Sequence, residues 1–491
     1  MRAPGPAPTG YRERVVRALA WSVSGQVGAR AIGFAFGVAL ARLLGPSEFG
    51  LLAMITVLTQ FLVAVADLGL EEALVQRREL DEAHCSSVFW AMLAAGCLLG
   101  AALVAAAPAI ARFYGAAELR PLVVWLAGLV LLRGLGTVPR ALIARRLDYR
   151  SSTMIECAAA VGGGACAVAL AWRGFGAASL AIQLLVGEAL ASALLLWAAG
   201  WWPRPMLRRA ALVELLGFGG YRAATRGLVY WTQHADDLLI GKLLGSGPLG
   251  LYTRAFTLMR LPVLAIARAV ARPMFPTLVL IQDDPERVRS LYLRATGAVA
   301  LATVPLCLGL VACAEPLVVG VFGEPWREAV PLARVLGIAG LLQGVTALAG
   351  SLYLSQGRPD LHLRLHLLQN LATLCGVVAG VRGGTLGVAI GYTVASVLTS
   401  VPMLVFAGGL VGLRLGAVWG HLRSVFLAGV VMVLAVAALG AWARPLLPLL
   451  ALLALQVATG AAVYGAAIGL LRGQPYRDLV ELLRGRLRAS G

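Results

Sequence analysis

Charge is scarce in this chain. Only 13% of its 491 residues are Asp, Glu, Lys or Arg, whereas a soluble globular protein carries about 25%. Hydrophobic residues make up 59%, and the mean hydropathy is +0.82. That composition excludes an ordinary water-soluble domain and defines an integral membrane protein with many spans. Lysine is nearly absent: Lys242 is the only one among 42 basic residues, a bias we read as genome composition and not as function. Paired cysteine motifs are missing. The seven cysteines (Cys85, Cys97, Cys157, Cys166, Cys307, Cys313 and Cys375) contain no CxxC and fall mostly in apolar runs, where cysteine serves as a small buried apolar residue. There is no GxxxxGK[ST] loop for ATP, and no GxSxG or HExxH. Long loops are absent too: none exceeds about 20 residues, which leaves no room for a soluble catalytic domain.

What is there is apolar and periodic. Windows of about 20 apolar residues predict fourteen spans, at 19–43, 49–74, 86–111, 120–138, 152–172, 175–199, 216–243, 249–278, 290–314, 331–353, 362–381, 384–409, 423–443 and 446–471. With the N-terminus placed inside, the inside loops and tails hold 25 basic residues and the outside loops 8. The positive-inside rule then predicts both termini in the cytoplasm. The net charge of +18 is spread over short loops and not gathered on one face, which argues against nucleic acid as a partner. No cleavable signal peptide is expected: the Pro/Gly-rich start leads through Arg12, Arg14 and Arg17 into an apolar run long enough to span. The tail after Leu471 sets Tyr476, Leu479, Val480, Leu483 and Leu487 against Arg477, Arg484 and Arg488. It reads either as an amphipathic surface helix or as a solvated end.

An internal repeat runs at a constant offset of 200. Arg42-Leu43-Leu44-Gly45 recurs as Lys242-Leu243-Leu244-Gly245, Gly50-Leu51 as Gly250-Leu251, and Leu58 as Leu258. A weaker echo links Leu180-Ala181-Ile182 to Val388-Ala389-Ile390. Repeats of this size point to two homologous helix bundles with a transport site between them. The expected fold is an all-α membrane protein of about 14 transmembrane helices. Its parts are an N-terminal six-helix bundle over 1–210, a C-terminal one over 211–420, and two extra helices with a tail over 421–491.

The hairpin from about Leu216 to Leu278 carries six arginines: Arg222, Arg226, Arg254, Arg260, Arg268 and Arg272. At about 2.5–3.5 kcal/mol for each charge at the bilayer centre, six facing lipid would cost on the order of 15–20 kcal/mol. They must therefore snorkel, pair or line a polar cavity. Asp236 and Asp237 precede the turn near Ser246 by roughly ten residues, and Arg254 follows it by eight. The three stand at similar depth and are expected to form an ion pair or a gate. Arg222 and Arg272, and Arg226 and Arg268, also match in depth. Arg254, Arg268 and Arg272 fall within about 40° of one face at 100° per residue. The expected result is a cationic cluster towards the cytoplasm, with snorkelling as the competing reading for the inner four. Arg260 lies near mid-membrane, and Pro262, Pro273 and Pro276 are expected to bend or break this helix. Arg30 sits mid-span in the first predicted helix and is a further candidate ligand for an anion.

Arg133, Glu156, Glu188 and Arg334 are single intramembrane charges and hence candidates by default. Asp67 reads as structural. His362 and His366 have the i,i+4 spacing of metal ligands, but only Asp360 accompanies them, so no metal site and no cofactor are expected.

Three stretches resemble a known family: GQVGARAIGFAFGVALARLLGPSEFGLLAM within 24–54, ADLGLEEALVQR over 66–77, and DDLLIGKLLGSGPLGLYTRAFTLMRLP over 236–262. They are similar to the polysaccharide-transport branch of the MOP (multidrug/oligosaccharidyl-lipid/polysaccharide) exporters, the Wzx-type flippases. The resemblance implies two six-helix bundles in a V around a central cavity, plus two extra helices. It also implies translocation of undecaprenyl-pyrophosphate-linked oligosaccharide across the bacterial inner membrane by alternating access, and no enzymatic activity. Its partners would be the lipid-linked substrate, membrane lipids and polysaccharide polymerases or glycosyltransferases. The resemblance transfers no residue, so the expected anion-binding set rests on depth in the membrane: Arg30, Arg222, Arg226, Arg260, Arg268 and Arg272, whose guanidiniums bind phosphate bidentately. A cation-coupled multidrug exporter of this fold would favour an acid in the first span, where this chain has Arg30. A peptidoglycan-precursor flippase would use the same arginines. A membrane polysaccharide polymerase or glycosyltransferase needs a sizeable outer loop or a nucleotide-sugar domain, and a non-transporting scaffold leaves the arginines unexplained.

Overall fold

Each apolar window folds as a long helix, because lipid offers no partner for an unpaired backbone amide. The computed structural model describes residues 11–67, 69–77, 79–478, 480 and 481. It describes side chains at all of these except 11–24, 26, 27, 215–229, 232 and 233. No strand occurs among the described residues. The chain divides into two compact units, Met1–Gly250 and Leu251–Gly491.

The first unit holds α1 (Tyr11–Leu43), α2 (Pro46–Asp67), α3 (Leu70–Gln76), α4 (Glu82–Tyr114), α5 (Leu119–Arg145), α6 (Tyr149–Trp172), α7 (Ala177–Ala199) and α8 (Arg209–Leu244). The second is built from α9 (Ser246–Leu280), α10 (Pro285–Ala312), α11 (Ala314–Phe322), α12 (Ala329–Thr346), α13 (Ala349–Ser355), α14 (Pro359–Gly380), α15 (Gly384–Gly409), α16 (Leu415–Ala443) and α17 (Leu449–Leu471). The first turn of α9 belongs to the first unit. Eleven stretches among the described residues are long and apolar enough to cross a membrane, and one of them, Pro359–Gly409, contains both α14 and α15. The chain is a multi-pass membrane protein.

Helix ends follow local chemistry. Asp81 accepts from the His84 amide, Asp148 from that of Ser151, and Asp284 from those of Glu286 and Arg287. These carboxylates satisfy amides that the first helical turn leaves open. Three short helices, α3, α11 and α13, were not expected: each is too short to register in a window of about 20 residues.

The prolines of α9 were expected to bend or break it. Pro262, Pro273 and Pro276 all lie inside one continuous helix, so none of them breaks it. In lipid, the penalty for any non-helical alternative exceeds that of the hydrogen bond proline removes.

The offset-200 repeat has a structural counterpart in the first unit. The first turns of α2 and α9 touch through glycine. A Cβ on Gly50 would stand 1.7 Å from the Ser246 carbonyl oxygen, and one on Gly250 1.9 Å from that of Pro46. Positions 46 and 246, and 50 and 250, are the repeat partners. Only glycine permits this backbone approach.

Candidate functional site: the charged helices

The expected arginines do not share one environment. On α9 the buried stripe runs through Ala255, Met259, Val263, Ala267, Met274 and Leu278. The opposite, exposed face carries Thr257, Leu261, Ala265, Arg268 and Arg272. Arg268 and Arg272 make no hydrogen bond or ion pair among the described residues. Arg254 lies within the same angular sector but is half-buried, with its guanidinium 5.7 Å from the Phe322 ring and 5.8 Å from that of Trp326. At that end of α9, α11 and the turn Glu324–Trp326 cover the sector and supply two aromatic faces. Arg260 is also half-buried and lies 5.8 Å from the ring of Phe256, one turn earlier.

On α8, Arg222 and Arg226 lie within the helix, but their side chains fall outside the described residues. Further along, Asp237 pairs with His234 at 3.3 Å, and Asp236 is half-buried. Arg30, on α1, is exposed.

Two charges read singly from the sequence turn out to be partners. Arg133 on α5 meets Glu188 on α7 at 3.0 Å, and Arg140, two turns along α5, meets the same carboxylate at 3.2 Å. Arg140 also reaches Glu71 on α3 at 3.7 Å. These groups adjoin a cavity of about 280 Å³ lined by Asp67, Glu71, Glu72, Arg133, Thr137 and Arg140, among others. The sequence carried a signal for this network: Arg133 and Arg140 are seven apart and so share a face, with an acid available in a neighbouring span. Of the other single charges, Arg334 is exposed and Glu156 accepts from Ser152. The rings of His362 and His366 stand 4.5 Å apart, and no group of three His, Cys, Asp or Glu converges among the described residues.

At one end of the second unit, Glu315 pairs with Arg327 at 2.8 Å and with Arg444 at 2.5 Å. Arg327 also donates to Glu324, and this holds the exposed Glu324 carboxyl below its usual value.

This architecture defines a class. It is a multi-pass, all-helical membrane protein with the fold of the lipid II flippase MurJ in its inward closed conformation (TM-score 0.74, 13% identity, covering 94% of this chain and 100% of that one). A multidrug resistance MATE transporter of the MOP superfamily in its inward-facing conformation is more distant, with a TM-score of 0.58 at 16% identity over 78% of this chain and 98% of that one. Within that class, the chain belongs to the family described as "Polysaccharide biosynthesis protein", whose model matches residues 39–331. Among curated relatives, it is 31% identical to the succinoglycan biosynthesis transport protein ExoT of Rhizobium meliloti (strain 1021) over 342 residues, 69% of this chain and 68% of that one. The lipopolysaccharide biosynthesis protein WzxC of Escherichia coli (strain K12) is 26% identical over 73% of each chain. The teichuronic acid biosynthesis protein TuaB of Bacillus subtilis (strain 168) is 31% identical over 62% of this chain and 63% of that one.

Proposed function

We propose that this protein flips undecaprenyl-pyrophosphate-linked oligosaccharide units across the bacterial inner membrane by alternating access, for assembly of a surface or secreted polysaccharide. On this reading the fourteen helices of 18 or more residues each cross the bilayer, with both termini in the cytoplasm. The repeat units are 1–210 and 211–420, followed by two added helices, and the chain catalyses no covalent step. Glycosyltransferases supply the substrate, and a polymerase consumes it.

The observation that carries the reading is the exposed pair Arg268 and Arg272, on the face of an apolar helix opposite its buried stripe, in a member of a polysaccharide family. Two guanidiniums one turn apart match a pyrophosphate, which offers several bidentate acceptors. Arg222 and Arg226 on α8 repeat that spacing. Arg30 and Arg260 complete the anion-binding set, and Arg254 with Asp236 and Asp237 serves gating.

Changing Arg226 and Arg268 together to Ala is expected to abolish export of the cognate polysaccharide in the native host, with the membrane level of the protein unchanged. Normal export by that double variant would sink the reading.

A further inference from the structure

The outer half of α8 carries a second surface unlike the arginines. Tyr230, His234 and Asp237 stand at i, i+4 and i+7 on one face of the helix, and Trp231 adjoins them. Phe61 of α2 packs on this group, with its ring 5.0 Å from Trp231 and 5.9 Å from Tyr230. The Tyr230 ring lies 4.5 Å from the His234 imidazole, and its hydroxyl donates to the Val57 carbonyl at 2.6 Å.

That hydrogen bond fixes the depth. Val57 is at the middle of the 22-residue α2, a helix just long enough to cross a core of about 30 Å. Tyr230 is therefore near mid-bilayer. His234 and Asp237 follow it by about 6 and 10.5 Å at 1.5 Å per residue, still within the half-thickness of about 15 Å. Their side chains are paired but remain 32% and 20% exposed. An ionisable pair left partly open at that depth faces a water-filled cavity and not acyl chains.

The chemistry of this wall selects among possible occupants. An acyl chain has no use for a carboxylate. A pyrophosphate is repelled by Asp237. A pyranose fits both halves, because its C–H face stacks on aromatic rings and its hydroxyls donate to carboxylate and exchange hydrogen bonds with imidazole. We propose that Trp231, Tyr230, His234 and Asp237, with Phe61 behind them, form a sugar-binding subsite that takes the pyrophosphate-proximal sugar of the lipid-linked substrate. This rests on the flippase reading above. Arg226 precedes Tyr230 by four residues, one turn and about 6 Å along the same face of the helix, which sets the phosphate and sugar positions side by side on α8. The anion is held at the arginines and the neutral glycan at the aromatic wall, so substrate choice lies with the second group.

The test uses the full chain in lipid nanodiscs and four probes: farnesyl pyrophosphate, the same pyrophosphate bearing glucose or galactose, and tetraphenylphosphonium. At least one hexose-bearing probe should bind about tenfold more tightly than the bare pyrophosphate, the scale of a good aromatic contact. Trp231→Ala should erase that increment and leave affinity for the bare probe unchanged, and Asp237→Asn should lower the increment. Trp231→Phe should keep most of it, which excludes a folding defect as the cause. No hexose increment in the unmodified protein, or an increment that survives Trp231→Ala, would overturn the subsite. Tetraphenylphosphonium binding that depends on Asp237, with no hexose increment, would reassign the wall to organic cations. Failure to bind the bare pyrophosphate would count against the arginine reading alone, since a Trp231-dependent gain from the hexose would still uphold the subsite.

Discussion

The two units place their ion pairs differently. In the first, Arg133, Arg140, Glu71 and Glu188 pair across three helices beside a polar cavity. In the second, a large apolar cluster runs from Met274 on α9 to Ile468 on α17. Its ion pairs stand towards the ends of long helices, where Glu315 meets Arg327 and Arg444, and where Arg294 meets Asp478 and Glu481. A core interrupted by ion pairs has alternatives, because Arg140 has two carboxylates, Glu71 and Glu188, in reach. We read the first unit as the one whose packing is free to rearrange.

The largest expected effect tests that contrast directly. Glu188→Ala removes the carboxylate shared by Arg133 and Arg140, leaving Arg133 without its ion-pair partner and Arg140 with Glu71 alone. The cost should be about 2–4 kcal/mol, read as a lowered unfolding midpoint of the purified protein in detergent. Glu188→Gln should recover part of it, since the amide oxygen still accepts. If Glu188→Ala were silent, the interior network would be ornamental and the contrast between the units would collapse.

Next in size is the glycine contact of the repeat. Gly50→Ala places a methyl where the Ser246 carbonyl now stands, and backbone must move to admit it. Overpacking of this kind costs about 1–3 kcal/mol. Gly250→Ala should cost a similar amount, since it meets Pro46 in the same way. The double variant should fall short of the sum, because one displacement relieves both clashes. Strict additivity, measured by the same unfolding assay, would show that the two contacts are independent.

Much of this architecture was legible in the sequence. Each apolar window falls on a long helix, because hydropathy reports the one constraint that lipid imposes on backbone. The repeat was visible for the same reason that Gly50 and Gly250 matter: a backbone contact tolerates no side chain at either position. The site was less legible. Spacing gave depth and helical angle for Arg254, Arg268 and Arg272, but not what covers them, and α11, too short for any hydropathy window, decides that Arg254 meets Phe322 and Trp326. Pairing of Arg133 with Glu188 joins residues 55 apart, and no local pattern names such a partner. The aromatic wall on α8 was hidden because Tyr and Trp in a span read simply as apolar bulk.

Helix caps offer a smaller test, in which the two units should behave alike. Asp148 caps α6 in the first unit, and Asp284 caps α10 in the second. Replacing either by Ala should cost about 1 kcal/mol. The hydrogen bonds from Ser151 hold the Asp148 carboxyl below its ordinary value of 3.8. A carboxylate with a lowered folded value stabilises above its unfolded value, and the contribution fades as pH falls through the folded one. The difference between the parent and Asp148→Ala should therefore be constant near neutrality and shrink below about pH 4. A difference that grew on acidification would show that the protonated acid is the better cap.

The smallest effect belongs to the exposed end of the second unit. Arg444 is 60% exposed where it pairs with Glu315, and Glu315 keeps Arg327 as a second partner. Arg444→Ala should cost about 0.5 kcal/mol or less, and added salt should diminish even that. The same salt should diminish the Glu188→Ala deficit less, since the Glu188 carboxylate is only 14% exposed. Salt response therefore separates the two kinds of charge more sharply than the size of either loss. A deficit at Arg444 as large as that at Glu188, and equally indifferent to salt, would place interior-type ion pairs in both units and remove the asymmetry on which the reading of a rearrangeable first unit depends.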